Sequence, residues 1–127
     1  MDENKTVLTV DDDSSVRVLI KAALAGNRAI RVIEASDGAS GMVAAKKHQP
    51  DLVILDVMMP IQDGLATLSQ LRSDPGFSKT PVLMLTGVKD DDKLDQIRRH
   101  RDTDFMPKPF VIENLRRRVN TLLFQNA

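Results

Sequence analysis

Two runs of four purely apolar residues, Leu52 to Leu55 (LVIL) and Val82 to Leu85 (VLML), constrain the fold of this chain more than any other feature. A strand with one face in water alternates apolar and polar residues. A short continuous apolar run ended by turn chemistry reads instead as a strand buried on both faces. Such strands belong to parallel sheets covered by helices on both sides. The first run delivers a single carboxylate, Asp56, where it stops, and a loop carrying Met59-Pro60 and Asp63-Gly64 follows. The second run stops at Thr86-Gly87.

The remaining segments supply the other layers. Thr6 to Val10 (TVLTV) is β-branched and ends in Asp11-Asp12-Asp13, which marks a first strand. Val16, Leu19, Ile20, Ala23 and Leu24 then recur at helical spacing, so the acids and Ser14-Ser15 lie at a helix N-terminus, where free N–H groups favour them. Gly26-Asn27 ends that helix, and Ile30 to Ile33 forms a second strand. Asp37-Gly38 opens a weaker helix to about Lys47, with Met42, Val43 and Ala45 expected to face inward. Asp63 is the expected cap of a short helix marked by Leu65, Leu68 and Leu71, and Asp74-Pro75-Gly76 is a turn. Asp90, Asp91 and Asp92 are expected to start a helix with Leu94 and Ile97 inward and Arg98, Arg99, His100 and Arg101 at its end, an order that complements the helix dipole. Thr103 to Met106 is a fifth strand before Pro107-Lys108-Pro109. Ile112, Leu115, Val119, Leu122 and Leu123 stripe a last helix, with Arg116 to Arg118 outside. Right-handed crossovers turn this alternation into an α/β fold, a doubly wound five-stranded parallel sheet, with residues 1–127 as one domain.

Composition narrows the function classes. Eighteen basic residues balance eighteen acidic ones, so no global field favours nucleic acid or membrane surfaces. The absence of cysteine excludes disulfides and thiolate metal sites, and the absence of Trp and Tyr argues against a stacking platform for bases. No apolar run approaches the roughly 20 residues of a membrane span. The segment MDENKT lacks a signal-peptide core, so a cytoplasmic location is expected.

In a parallel sheet every strand ends at the same edge, and open α/β sheets bind ligands there. Asp11 and Asp12 end the first strand, Asp56 the third, Thr86 the fourth, and Lys108 follows the fifth. If the first and third strands are neighbours, three carboxylates converge. Two unit charges about 4 Å apart repel by roughly 4 kcal/mol at an effective dielectric of about 20. A hard divalent cation of the Mg²⁺ or Mn²⁺ type relieves that repulsion. With an ammonium and a hydroxyl nearby, these are parts for holding a phosphoryl group in flight. Taken singly, each has an ordinary reading as a cap, a turn or a solvated loop residue. The joint pattern across four strand ends is what points to chemistry.

Val10-Asp11-Asp12-Asp13, Asp56-x-x-Met59-Pro60-x-x-Asp63-Gly64, Leu85-Thr86-Gly87 and Lys108-Pro109-Phe110 together resemble the receiver domain of two-component response regulators over nearly the whole chain. The resemblance implies the flavodoxin-like strand order 2-1-3-4-5. It implies that Asp56 is the phosphoacceptor for a sensor histidine kinase or histidine phosphotransfer protein. It further implies that Asp12, Asp56 and the Met58 carbonyl ligate Mg²⁺, with Asp11 acting mostly through metal-bound water. Thr86 and Lys108 would contact the phosphoryl oxygens, and Lys108-Pro109 would be cis. On phosphorylation Thr86 would move inward and Phe105 would turn into the vacated space, altering a surface of roughly residues 90–122 that is read by a downstream effector or output domain.

Several positions depart from the family pattern. Phe105 stands where many relatives have tyrosine, and Gly87 where a small residue, often alanine, is usual. Residues 101–104 replace a Gly-Ala before the fifth strand, and Pro107 fits only an edge strand. Met58 and Val88 would flank the acceptor with apolar side chains, which predicts a persistent phosphorylated state. The arginines Arg98, Arg99, Arg101 and Arg116 to Arg118 read as solvated faces or as a partner or phosphorylation-dependent dimer surface. Two other functions stay open. An Asp-nucleophile phosphohydrolase would want an acid/base Asp where Met58 stands. A phosphorylation-independent interaction module of the same fold is the other.

Overall fold

The computed structural model describes residues 4–59, 63–87 and 93–124. Five strands and five helices alternate: β1 (Lys5–Val10), α1 (Ser14–Leu24), β2 (Ile30–Ala35), α2 (Gly38–His48), β3 (Leu52–Asp56), α3 (Gly64–Ser73), β4 (Val82–Thr86), α4 (Leu94–Arg98), β5 (Thr103–Pro107) and α5 (Ile112–Phe124). All neighbouring strands pair in parallel, in the order β2-β1-β3-β4-β5. The order expected from the resemblance is therefore the observed one. Every residue of β3 and of β4 is buried, as their uninterrupted apolar runs require.

Alternate residues of the central strands enter two separate cores. Val7, Leu52, Ile54, Leu83 and Leu85 pack on Ile20, Ala23 and Leu24 of α1 and on Leu115, Val119 and Leu123 of α5. Leu8, Val10, Val53, Leu55 and Met84 pack on Ala45 of α2, Leu68 and Leu71 of α3 and Ile97 of α4. Each fully buried Leu, Ile or Val stabilises the fold by roughly 1.5–3 kcal/mol, so both faces of the sheet hold the layers together.

The helix starts are fixed by side-chain caps. Asp13, Asp37 and Asp63 accept from the backbone N–H groups of Ser15, Ser40 and Ala66, at 2.9, 2.7 and 2.9 Å. Such a cap is worth roughly 1 kcal/mol. The expected start of the fourth helix at Asp90 to Asp92, Pro60 of the loop motif and the expected apolar neighbour Val88 lie outside the described residues.

Two side-chain expectations are corrected. Val43 is 68% exposed instead of inward. The inward stripe of α2 is Gly38, Gly41 and Ala45, and a Cβ on Gly41 would stand 3.0 Å from a Val10 methyl. Small residues let α2 approach β1 closely, which turns the larger Val43 outward. Ile112 is 37% exposed, because it is the first residue of α5 and precedes the buried stripe of Leu115, Val119 and Leu123. Among the described residues no helix is long and apolar enough to cross a membrane.

The segment that replaces Gly-Ala before β5 is accommodated by Asp102, which takes the left-handed backbone at φ 55°. Aspartate tolerates that region better than most residues. Its carbonyl accepts from Val82 N at 2.9 Å and from the Arg72 guanidinium at 2.9 Å. Pro107 ends β5, which is an edge strand, so no ladder bond is lost.

Candidate functional site

Because β1 sits between β2 and β3, the ends of β1 and β3 meet at the carboxyl edge. One carboxylate oxygen from each of Asp11, Asp12 and Asp56 lies within 4.8 Å of the others. Asp11 and Asp56 are buried, whereas Asp12 is exposed. Lys108, in the loop after β5, reaches back over β4. Its Nζ stands 3.0 Å from Asp56 Oδ1 and 3.6 Å from Asp11 Oδ2. Its own N–H donates to the Thr86 carbonyl at 2.7 Å, and the Lys108-Pro109 peptide is cis.

The electrostatics follow from this crowding. Burial foremost, and then the neighbouring Asp11 charge, push the Asp56 carboxyl from 3.8 up to about 6, with Lys108 opposing. Burial acts against the Lys108 charge, but Asp56 and Asp11 outweigh it and hold the ammonium above its ordinary value. Within this group three carboxylates face one ammonium. Asp11 Oδ1 accepts from Asp13 N at 2.9 Å, while its buried Oδ2 has no hydrogen-bond partner among the described residues. A buried carboxylate oxygen with open valence, beside two further carboxylates, is a donor set that fits a hard divalent cation.

Met58 N donates to Asp56 Oδ1 at 3.4 Å, and the Met58 side chain is 56% exposed, with its sulfur 3.3 Å from Lys93 Nζ. Thr86 is buried, and its hydroxyl donates to the Met106 carbonyl at 3.4 Å, so it points toward β5 instead of toward β3 and Asp56. Phe105 is half-buried against the core beneath α4, with the Arg98 guanidinium 5.2 Å from its ring centroid. A cation over an aromatic face at that distance is attractive by roughly 0.5–1 kcal/mol at an exposed site.

Three roles were not visible in the residue pattern. Gly64 reads as a turn glycine, yet a Cβ there would stand 2.2 Å from the Asp56 carbonyl oxygen. Its N–H donates to Val57 O at 2.8 Å, so α3 begins pressed against the strand that bears Asp56. Arg17 donates to the Asp11 carbonyl, and Glu34 at the end of β2 holds the other edge of the guanidinium. Neither residue carries a motif, and only the neighbourhood of β1 and β2 joins them. The arginines assigned to solvated faces also divide: Arg116 Nε donates to Ala23 O of α1 at 3.0 Å and Arg118 pairs with Asp104, so both tie elements together.

A doubly wound sheet of this order, with acids and a lysine gathered at its carboxyl edge, defines the receiver class of signalling domain. The family model described as response regulator receiver domain matches residues 7–120. The chain is 38% identical over 120 residues to the DNA-binding dual master transcriptional regulator RpaA of Synechocystis sp., covering 92% of this chain and 48% of that protein. It is 37% identical over 121 residues to the alkaline phosphatase synthesis transcriptional regulatory protein PhoP of Bacillus subtilis, covering 94% of this chain and 49% of that one. The chemotaxis protein CheY4 of Vibrio cholerae superposes with a TM-score of 0.86 at 30% identity, covering 94% of this chain and 99% of that one. The chain belongs to the response regulator receiver domain family. It spans about half the length of the curated relatives it matches. Receiver domains are generally signalling modules without enzymatic turnover.

Proposed function

We propose that residues 1–127 form one receiver domain that accepts a phosphoryl group on Asp56 from a phosphohistidine of a sensor histidine kinase or histidine phosphotransfer protein, in the cytoplasm. The carrying observation is the Lys108 ammonium 3.0 Å from a buried Asp56 carboxylate that also faces Asp11. In the transfer, an Asp56 oxygen forms the new P–O bond as the P–N bond to the histidine breaks, and the imidazole leaves with the electron pair. Asp11, Asp12, Asp56 and the Met58 carbonyl would hold Mg²⁺ or Mn²⁺, which supplies charge neutralisation at the phosphoryl oxygens. Lys108, with its Nζ 3.0 Å from Asp56 Oδ1, would follow that oxygen as it becomes an acyl phosphate.

The acyl phosphate brings added charge and three acceptor oxygens. Thr86 exchanges its 3.4 Å bond to the Met106 carbonyl for one of those oxygens. That movement frees space behind it for Phe105, which leaves Arg98 as it turns inward. The affected surface is α4, β5 and α5, read by an effector, an output domain or a second copy in a phosphorylation-dependent dimer, without direct contact with nucleic acid or membrane. The domain has no substrate beyond its own Asp56.

The test is incubation with acetyl phosphate or phosphoramidate and Mg²⁺, followed by intact mass. Wild type gains one base-labile phosphoryl group and Asp56→Ala gains none. Modification that survives Asp56→Ala sinks the assignment, and turnover of a generic phosphate ester points to the phosphohydrolase.

A further inference from the structure

We infer that Arg17 is a positioning residue for the metal-binding acids: through the Asp11 carbonyl it sets the turn that presents Asp11 and Asp12 to the cation. The inference deepens the proposed function and rests on its metal site.

Asp11 is held at every polar atom but one. Its N–H donates to Ala35 O at 3.1 Å, its Oδ1 accepts from Asp13 N at 2.9 Å, and its carbonyl accepts from Arg17 Nη1 at 2.5 Å. The remaining atom, Oδ2, faces Lys108 and the other carboxylates. Removing the Arg17 bond would release the backbone between Asp11 and Asp12, where β1 ends and α1 has not begun. Asp12 is exposed, so the backbone beneath it sets where its carboxylate stands.

The guanidinium is itself fixed. Arg17 Nε donates to Glu34 Oε1 at 3.1 Å, and Lys21 stands 3.7 Å from the other Glu34 oxygen. One planar fork thus bridges the ends of β1 and β2 from the first turn of α1. A lysine offers a point charge and cannot hold both edges at once. The pairing also occupies Arg17, which separates its role from that of Lys108: it shapes the site and does not receive the phosphoryl group.

Charge and geometry predict opposite signs. If Arg17 acted only as a nearby cation, removing it would strengthen divalent-cation binding to an acidic cluster. If it positions Asp11 and Asp12, removing it weakens binding despite the loss of repulsion. Partners behind metal ligands typically change metal affinity by about 10–100-fold when removed.

The experiment is Mn²⁺ titration of the unphosphorylated full chain by water-proton relaxation, with amide exchange at Asp13 as a second readout. Arg17→Met is expected to raise the Mn²⁺ dissociation constant about tenfold and to speed exchange at Asp13. Arg17→Lys keeps the charge and the stem, so it serves if the first variant does not fold, and it should bind roughly threefold more weakly than wild type. Tighter or unchanged binding by Arg17→Met, or wild-type affinity in Arg17→Lys where only that variant folds, overturns the inference. Asp12→Asn separates the two layers: if wild type binds no Mn²⁺, or Asp12→Asn binds as wild type does, the metal-site reading fails and the positioning role falls with it.

Discussion

Replacing Asp56 with asparagine should stabilise this domain at neutral pH in the absence of divalent cations. The folded carboxyl titrates at about 6 instead of 3.8, because burial and the Asp11 charge disfavour its ionised form. At roughly 1.4 kcal/mol per pH unit, ionising Asp56 in the folded protein is unfavourable by about 3 kcal/mol relative to the unfolded chain. Asparagine removes that term, in which the opposing attraction of Lys108 is already included, so the expected gain is up to about 3 kcal/mol. A pKa raised on folding contributes stability that is present below the unfolded value and is lost as pH rises through the folded one. The wild type should therefore match Asp56→Asn near pH 4, fall behind it between about pH 4 and pH 6, and stay behind by a constant amount above. For a domain of this size the difference corresponds to roughly 4–12 °C in the thermal midpoint. Far-ultraviolet circular dichroism melts in EDTA across that pH range measure it. A difference that is independent of pH, or a wild type more stable than the variant at neutral pH, would refute the electrostatic account.

Other outcomes follow from single contacts. Gly64→Ala drives a Cβ to 2.2 Å from the Asp56 carbonyl oxygen, so urea unfolding should show a loss of roughly 1–3 kcal/mol or more, with slower acetyl phosphate uptake by the survivors. Arg72 donates to the carbonyls of Phe77, Thr80 and Asp102 and to the Thr103 hydroxyl. Arg72→Met removes these bonds, although the Phe77 and Asp102 carbonyls keep the backbone donors Thr80 N and Val82 N, and guanidinium unfolding should register a loss of about 1–3 kcal/mol. Met58, two residues after Asp56, has an exposed, apolar side chain with its sulfur against Lys93. Met58→Asn should hasten loss of the acyl phosphate by offering a group that orients water, and an unchanged phosphate lifetime counts against that role.

The residue order alone determines much of this molecule. Uninterrupted apolar runs at Leu52 and Val82 can satisfy their side chains only between two helical layers, and Asp13, Asp37 and Asp63 announce helix starts because their caps are local. The motif residues after four strands likewise mark the sheet edge where chemistry gathers. Tertiary structure decides what depends on distant neighbours. Val43 and Ala45 stand on opposite sides of α2, and the close approach of Gly41 to Val10 decides which side faces the sheet. Gly64 is needed for a contact with β3 that no turn rule contains. The pairing of Arg17 with Glu34 exists because β2 lies beside β1, and the raised titration of Asp56 sums burial and charges from β1 and from the loop after β5. Periodicity and capping are interactions of nearest neighbours along the chain. Desolvation, close approach and charge coupling are set by neighbours in space, and they appear only once the sheet has brought residues 11, 17, 34, 56, 64 and 108 together.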